Sequence, residues 1–145
     1  MTGLGVDKVK YRLVVALSLV VAGGWLAQGS GINAQTTEAG KQAEAAAGHI
    51  MFEHRCRVCH ADDPSLKSYG PSLIGVIGRK AGTLEGFAYS DALKASGIVW
   101  TEEALRAWMA NNTGILPGTR MRHVGVTDKE EQDFLLAYIR TLAKR

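Results

Sequence analysis

Cys56-Arg57-Val58-Cys59-His60 holds the only two cysteines of this 145-residue chain, two residues apart, with a histidine directly after the second. C-x-x-C-H is the spacing of a c-type haem attachment signal: each thiol can bond a haem vinyl group, and the adjacent imidazole is then placed to ligate the iron. Two other chemistries use the same cysteines. A redox-active dithiol would want a βαβ context. A zinc site would want more soft ligands at short spacing. With no third cysteine, a thiolate-rich zinc site is excluded. A mixed site would need His49, His54 or His123, and the first two lack the usual paired spacing.

The front of the chain reads as an export signal. Lys8, Lys10 and Arg12 form a basic region, and Leu13 to Ala27 is an apolar run of fifteen residues without a charge. A Gly/Ser-rich stretch follows, with Ala34 as the expected cleavage position. The run is short against the ~20 apolar residues of a membrane span. Ile32 is larger than the small residue usual near a cleavage site, so residues 1–34 are expected to be a signal peptide or an N-terminal membrane anchor. Export suits C-x-x-C-H, because haem attachment of this kind happens outside the bacterial cytoplasm. The expected location is the periplasm, soluble or anchored to the inner membrane.

Charge gives no reason to expect nucleic acid as a partner. The chain carries 17 Lys+Arg against 14 Asp+Glu, a net +3. Residues 1–34 hold three of those bases and one acid, which leaves 14 against 13, or +1, for the remainder. Two haem propionates would make it slightly negative, so distribution matters more than the sum.

Residues 35–46 read as a polar, alanine-rich linker, and 47–145 as the domain. A first helix is expected from Thr37 or Glu38 to about Arg55, with Ala43, Ala47, Ile50, Met51 and Val58 at roughly helical spacing. Gly48 inside it costs a helix ~1 kcal/mol against alanine, and reads either as a place where another helix crosses closely or as a glycine merely tolerated. Residues 61–90 hold too many Gly and Pro for long regular structure. Asp91 to Ser96 suits a short helix closed by Gly97. Thr101 with Glu102 and Glu103 caps a helix running to about Asn111. Thr127 and Glu130 suggest a capping box for the last helix, whose stripe is Phe134, Leu135, Tyr138, Ile139 and Leu142. The class is all-α, three main helices plus a short one, with long loops. Loops of this length call for a large buried cofactor that they wrap.

A haem with one histidine can stay open or take a second axial ligand. Met121 is the candidate. It follows Pro117 and Gly118, which make a tight loop that presents the side chain by backbone geometry. A thioether favours Fe(II) and raises the potential. His123 is the rival ligand, and would give a bis-histidine iron. Met51 and Met109 sit in helical patterns and read as core.

The chain resembles the class I c-type cytochromes, the branch that includes mitochondrial cytochrome c and its soluble bacterial relatives. The resemblance covers about residues 45–143. It is carried by the C-x-x-C-H stretch, by Gly70-Pro71 through Gly78-Arg79, by Phe87-Ala88-Tyr89-Ser90-Asp91-Ala92, by Gly97-Ile98-Val99-Trp100, by Pro117-Gly118-Thr119-Arg120-Met121, and by Leu135-Leu136-Ala137-Tyr138. It implies the cytochrome c fold and one covalently attached haem c. Cys56 and Cys59 match the thioether cysteines, and His60 and Met121 the iron ligands. Pro71 matches the proline whose carbonyl accepts the histidine N–H. Arg79, Tyr89 and Trp100 match residues that bind the haem propionates. Trp108 sits where the family has tyrosine or tryptophan on the methionine side. Gly48 and Phe52 match first-helix positions that cross the last helix near Tyr138. Asn112 departs from the pattern by replacing a common proline, which predicts a looser ligand loop. Arg79, Lys80, Arg120 and Arg122 read either as a positive rim for a partner or as ordinary solvated surface.

The resemblance implies a monohaem carrier of single electrons, not an enzyme. The expected partners are redox proteins such as membrane oxidase or reductase complexes. Membrane contact is expected only if the N-terminal segment is retained, and the chain is expected to be a monomer. The alternative is a haem peroxidase or gas-binding sensor with an open or bis-histidine distal site.

Overall fold

A computed structural model describes residues 29–63 and 65–143, with side chains from Thr37 onward. The expected leader run, Leu13 to Ala27, lies outside the described residues. The chain divides into two compact units, Met1–Thr37 and Glu38–Arg145. Four helices are described: α1 (Gly29–Arg55), α2 (Asp91–Ala95), α3 (Glu102–Ile115) and α4 (Lys129–Leu142). Among the described residues the one β-type pairing is an isolated antiparallel bridge between Lys80 and Val99. No helix among them is long and apolar enough to cross a membrane.

Helix α1 ends at Arg55 as expected but begins earlier, at Gly29, so residues 35–46 are helical rather than a linker. The reason is local. Ala43, Ala45, Ala46 and Ala47 are strong helix formers, and Lys41 pairs with Glu38 at 2.8 Å one turn away. Ile50 and Val58 are exposed, at 61% and 77%, so they do not belong to the buried stripe. That face is Gly48 and Phe52, with Met51 partly buried beside them.

Helix α4 crosses α1 at Gly48. A Cβ built there would lie 1.8 Å from the Phe134 carbonyl oxygen, so only glycine lets the backbones approach this closely. Phe52 stacks obliquely on Tyr138, ring centres 5.1 Å apart, and Arg55 meets Glu131 at 3.0 Å. The α4 cap is Asp128, whose carboxylate accepts the Glu131 N–H, rather than Thr127. An ionised carboxylate one residue on is the stronger cap because it also meets the positive end of the helix dipole. Thr101 and Ser90 cap α3 and α2 as expected.

Helix α3 packs beside α4. Arg140 grips Glu102 through two hydrogen bonds of 2.7 and 2.6 Å, and Arg106 pairs with Asp133. Buried Gln132 donates to the carbonyls of Val126 and Arg106 at 2.7 and 3.4 Å. Leu105, Trp108 and Met109 of α3 join Phe52, Trp100, Val126, Leu135, Leu136, Tyr138, Ile139 and Leu142 in one apolar core. α3 also runs past its expected end, to Ile115, across a break at Asn111.

Candidate haem site

The motif follows α1 without a gap. Cys56 and Arg57 N–H groups both donate to the Phe52 carbonyl, at 2.8 and 2.9 Å, and the Cys59 and His60 N–H groups donate to the Cys56 carbonyl, at 3.0 and 2.8 Å. The four residues therefore form a tight turn that carries both thiols and the imidazole. Both cysteines are free and half-buried. Burial pushes the Cys56 thiol up to about 11, against the opposing pull of Arg55. Among the described residues there is no strand beyond one isolated bridge, so the βαβ context that a redox dithiol wants is missing, and the raised thiol agrees with that. The zinc reading fares no better. The His/Cys/Asp/Glu group that gathers among the described residues is His49, Glu53 and Asp62, without either cysteine, and Arg57 bonds Glu53 at 2.7 Å and approaches Asp62 at 3.6 Å.

His60 is 6% exposed, and its Nδ1–H donates to the Pro71 carbonyl at 2.8 Å. That bond fixes the tautomer and leaves the Nε2 lone pair for a metal. Burial lowers the His60 pKa, with the Pro71 bond opposing and His123 adding to the fall, so the ring is held neutral, as a ligand must be. Gly70 makes the room: a Cβ there would lie 2.5 Å from His60 Cε1 and 2.6 Å from Nδ1. Its N–H also donates to the Cys59 carbonyl at 2.6 Å. This glycine is a site residue that sequence reasoning passed over, although it stands directly before Pro71.

The methionine side is built by α3 and the loop after it. Pro117 and Gly118 occupy a turn closed by the Thr119 N–H on the Leu116 carbonyl, at 3.2 Å, with Gly118 at φ +91°. Proline followed by a positive-φ glycine is the signature of a type II turn. Thr119 is buried at 2% exposure, and its hydroxyl accepts the Met121 N–H at 3.3 Å. The Trp108 indole N–H donates to the Met121 sulfur at 3.0 Å. Trp100 meets Trp108 edge-on, with ring centres 5.1 Å apart. His123, the rival ligand, donates from Nε2 to the Met109 carbonyl at 2.9 Å, which turns that nitrogen to α3.

Arg79 is half-buried, with its guanidinium on the carbonyls of Ile74 and Ser72 at 3.0 and 2.9 Å. Its own carbonyl accepts the Trp100 N–H at 3.0 Å, so the two residues are joined. Tyr89 is 8% exposed; burial raises its pKa, with the Arg79 charge and a Leu84 backbone hydrogen bond pulling the other way. The Arg79 charge reaches Tyr89, and the main chain joins Arg79 to Trp100, so the three residues lie along the one stretch of loop that leads to α3. Arg120 and Arg122 are exposed but not idle: they donate to the carbonyls of Ala88 at 3.4 Å and of Thr119 at 2.6 Å.

A neutral buried imidazole with one nitrogen committed, a glycine cradle against that ring, two thiols on one turn, and a loop thioether with an N–H donor behind it together fit an iron porphyrin bound through thioethers.

No family model matches the chain. Cytochrome c2 of Blastochloris viridis is 47% identical over 98 residues, covering 67% of this chain and 76% of that protein. Cytochrome c of Euglena viridis is 39% identical over 99 residues, covering 68% of this chain and 97% of that protein. The solved structure of cytochrome cH from Methylobacterium extorquens superposes with a TM-score of 0.62 at 41% identity, covering 67% of this chain and 97% of its own.

Proposed function

The chain belongs to the class I c-type cytochromes, electron carriers rather than enzymes that hold haem c covalently, and on that premise we propose that it carries single electrons between redox proteins on a His60/Met121-ligated iron. When bound, the haem iron supplies one-electron chemistry between Fe(II) and Fe(III). Everything else is the work of the chain. Cys56 and Cys59 bond the macrocycle. His60 offers Nε2 while Pro71 holds Nδ1. Met121 offers sulfur while Trp108 donates to it. Arg79 would set its positive charge near the propionates, and Tyr89 and Trp100 would offer them neutral O–H and N–H donors. Trp100, Trp108 and the apolar core around them exclude water, which keeps reorganisation small on electron transfer.

One observation carries this reading: two side chains of the right ligand types, His60 and Met121, each come with a dedicated hydrogen-bond partner, Pro71 and Trp108. With His60 and Met121 both holding the iron, no place would be left for dioxygen, which would suit outer-sphere transfer. The proposed location is the periplasm, after export by residues 1–34, with 47–145 as the haem domain. Arg120 and Arg122 form a positive rim beside the ligand loop for an acidic partner surface.

The test is an absorption spectrum of the oxidised holoprotein. A weak sulfur-to-iron charge-transfer band is expected. Its loss, a lower potential and new binding of exogenous ligands are expected in Met121→Ala. An unchanged potential in that variant points to His123 or another ligand, and rapid peroxide turnover by the native protein overturns the carrier reading. Intact mass decides the leader: a start near Gln35 means cleavage, and a retained Leu13–Ala27 run means an anchor.

A further inference from the structure

Helix α3 does not run straight to Ile115. Asn111 leaves helical geometry, at φ −158° and ψ 73°, and a second short helical stretch follows. The Asn111 side chain starts it by accepting the Gly114 N–H at 2.9 Å, and the Leu116 N–H closes it on the Asn112 carbonyl at 2.9 Å. The consequence lies one residue past the break. Asn112 is 4% exposed, between exposed Asn111 and Thr113. Its Nδ2 donates to the main-chain carbonyl of Met121 at 3.0 Å.

We propose that Asn112 is the positioning residue of the methionine loop, tying the backbone of Met121 to α3 so that its sulfur stays on the iron. The proposal rests on Met121 being the ligand. The loop is fastened elsewhere too: the Val126 N–H and His123 Nε2 both donate to the Met109 carbonyl, at 2.8 and 2.9 Å. Those ties lie downstream of Met121. Trp108 ties the Met121 sulfur, not its backbone; at the Met121 carbonyl the second donor is Arg122, at 3.2 Å, an exposed side chain that water can replace. Of the two donors Asn112 is the buried one, and its loss removes one net hydrogen bond from the closed loop. The proline common at this position in the family would fix a backbone angle but has no side-chain donor to give. Asparagine here replaces stiffness with a bond to the ligand residue, which is the opposite of a loosened loop.

The measurement is competition for the iron. Imidazole is titrated into the oxidised holoprotein and followed by absorbance, for wild type, Asn112→Ala and Asn112→Leu. Leucine keeps the volume and removes the donor. Both variants are expected to bind imidazole about five- to ten-fold more tightly than wild type, the effect of losing one buried hydrogen bond in the closed state. The sulfur-to-iron band should persist in both without imidazole. Gly48→Ala, at the α1–α4 crossing on Phe134, lowers global stability away from the loop and should leave imidazole affinity near the wild-type value. Wild-type imidazole affinity in both Asn112 variants overturns the proposal, as does an equal rise in Gly48→Ala, which would reduce the effect to general loosening. A wild type without the band overturns the ligation reading itself, and this proposal with it.

Discussion

The Trp108 indole N–H points at the Met121 sulfur across 3.0 Å, from a ring that is 6% exposed. A thioether has two lone pairs. If one binds iron as proposed, the other is free to accept this bond. A donor there draws density from the sulfur and weakens it as a partner for Fe(III) more than for Fe(II).

Trp108→Phe keeps an aromatic ring against Trp100 and removes the N–H. The reduction potential should therefore fall, by about 20–40 mV if half or more of a ~1 kcal/mol bond differs between oxidation states. A redox titration of the holoprotein reads this directly. A rise in potential would mean that the indole does not act on a coordinated sulfur.

The contact between Gly48 and Phe134 makes a second prediction. Alanine at 48 gains ~1 kcal/mol of helix propensity but puts its Cβ 1.8 Å from a main-chain oxygen that no rotamer can move. One helix must shift, and overpacking of this kind costs roughly 1–3 kcal/mol or more. Gly48→Ala should lose about 2 kcal/mol net, seen as a lower urea midpoint at unchanged slope. Greater stability in this variant would show that α1 and α4 do not cross there.

What could be read from the chain alone follows from how local each signal is. The C-x-x-C-H spacing, the Thr101 cap and the Pro117-Gly118 turn are set by residues a few positions apart, and each is where the sequence puts it. The cost of a glycine inside a helix marked Gly48 out, but it took the family resemblance to read it as a close crossing and not a tolerated residue. Gly70 and Asn112 were not, for a different reason. Their roles depend on what the fold carries to them: the His60 ring ten residues back, and the Met121 carbonyl nine residues on. A glycine before a proline reads as a turn, and an asparagine near a helix end reads as a stop. Nothing in either residue names its partner. The α4 start slipped by one residue because Thr127 and Asp128 are both good caps, and only the path of the chain selects Asp128.

The last prediction concerns acid. Glu102 opens α3 and receives the fork of Arg140 from α4, and that hydrogen-bonded charge, more than its long-range field, holds the Glu102 carboxyl below its ordinary value. A carboxylate whose pKa is depressed by folding stabilises the native state above the unfolded pKa, and the contribution fades as pH falls through the folded one. Both side chains are a third or more exposed, so water screens the pair and its worth stays under about 1 kcal/mol despite the good geometry. Glu102→Gln should thus be slightly less stable than wild type at pH 7, and the gap should close as the pH drops below the ordinary glutamate range. Denaturation curves of the two proteins at pH 7 and in that acid range give the comparison. A gap that widens in acid would mean that the Arg140 pair does not depress Glu102, and that α3 and α4 are held by the Arg106–Asp133 pair, the buried Gln132 bonds and the apolar seam.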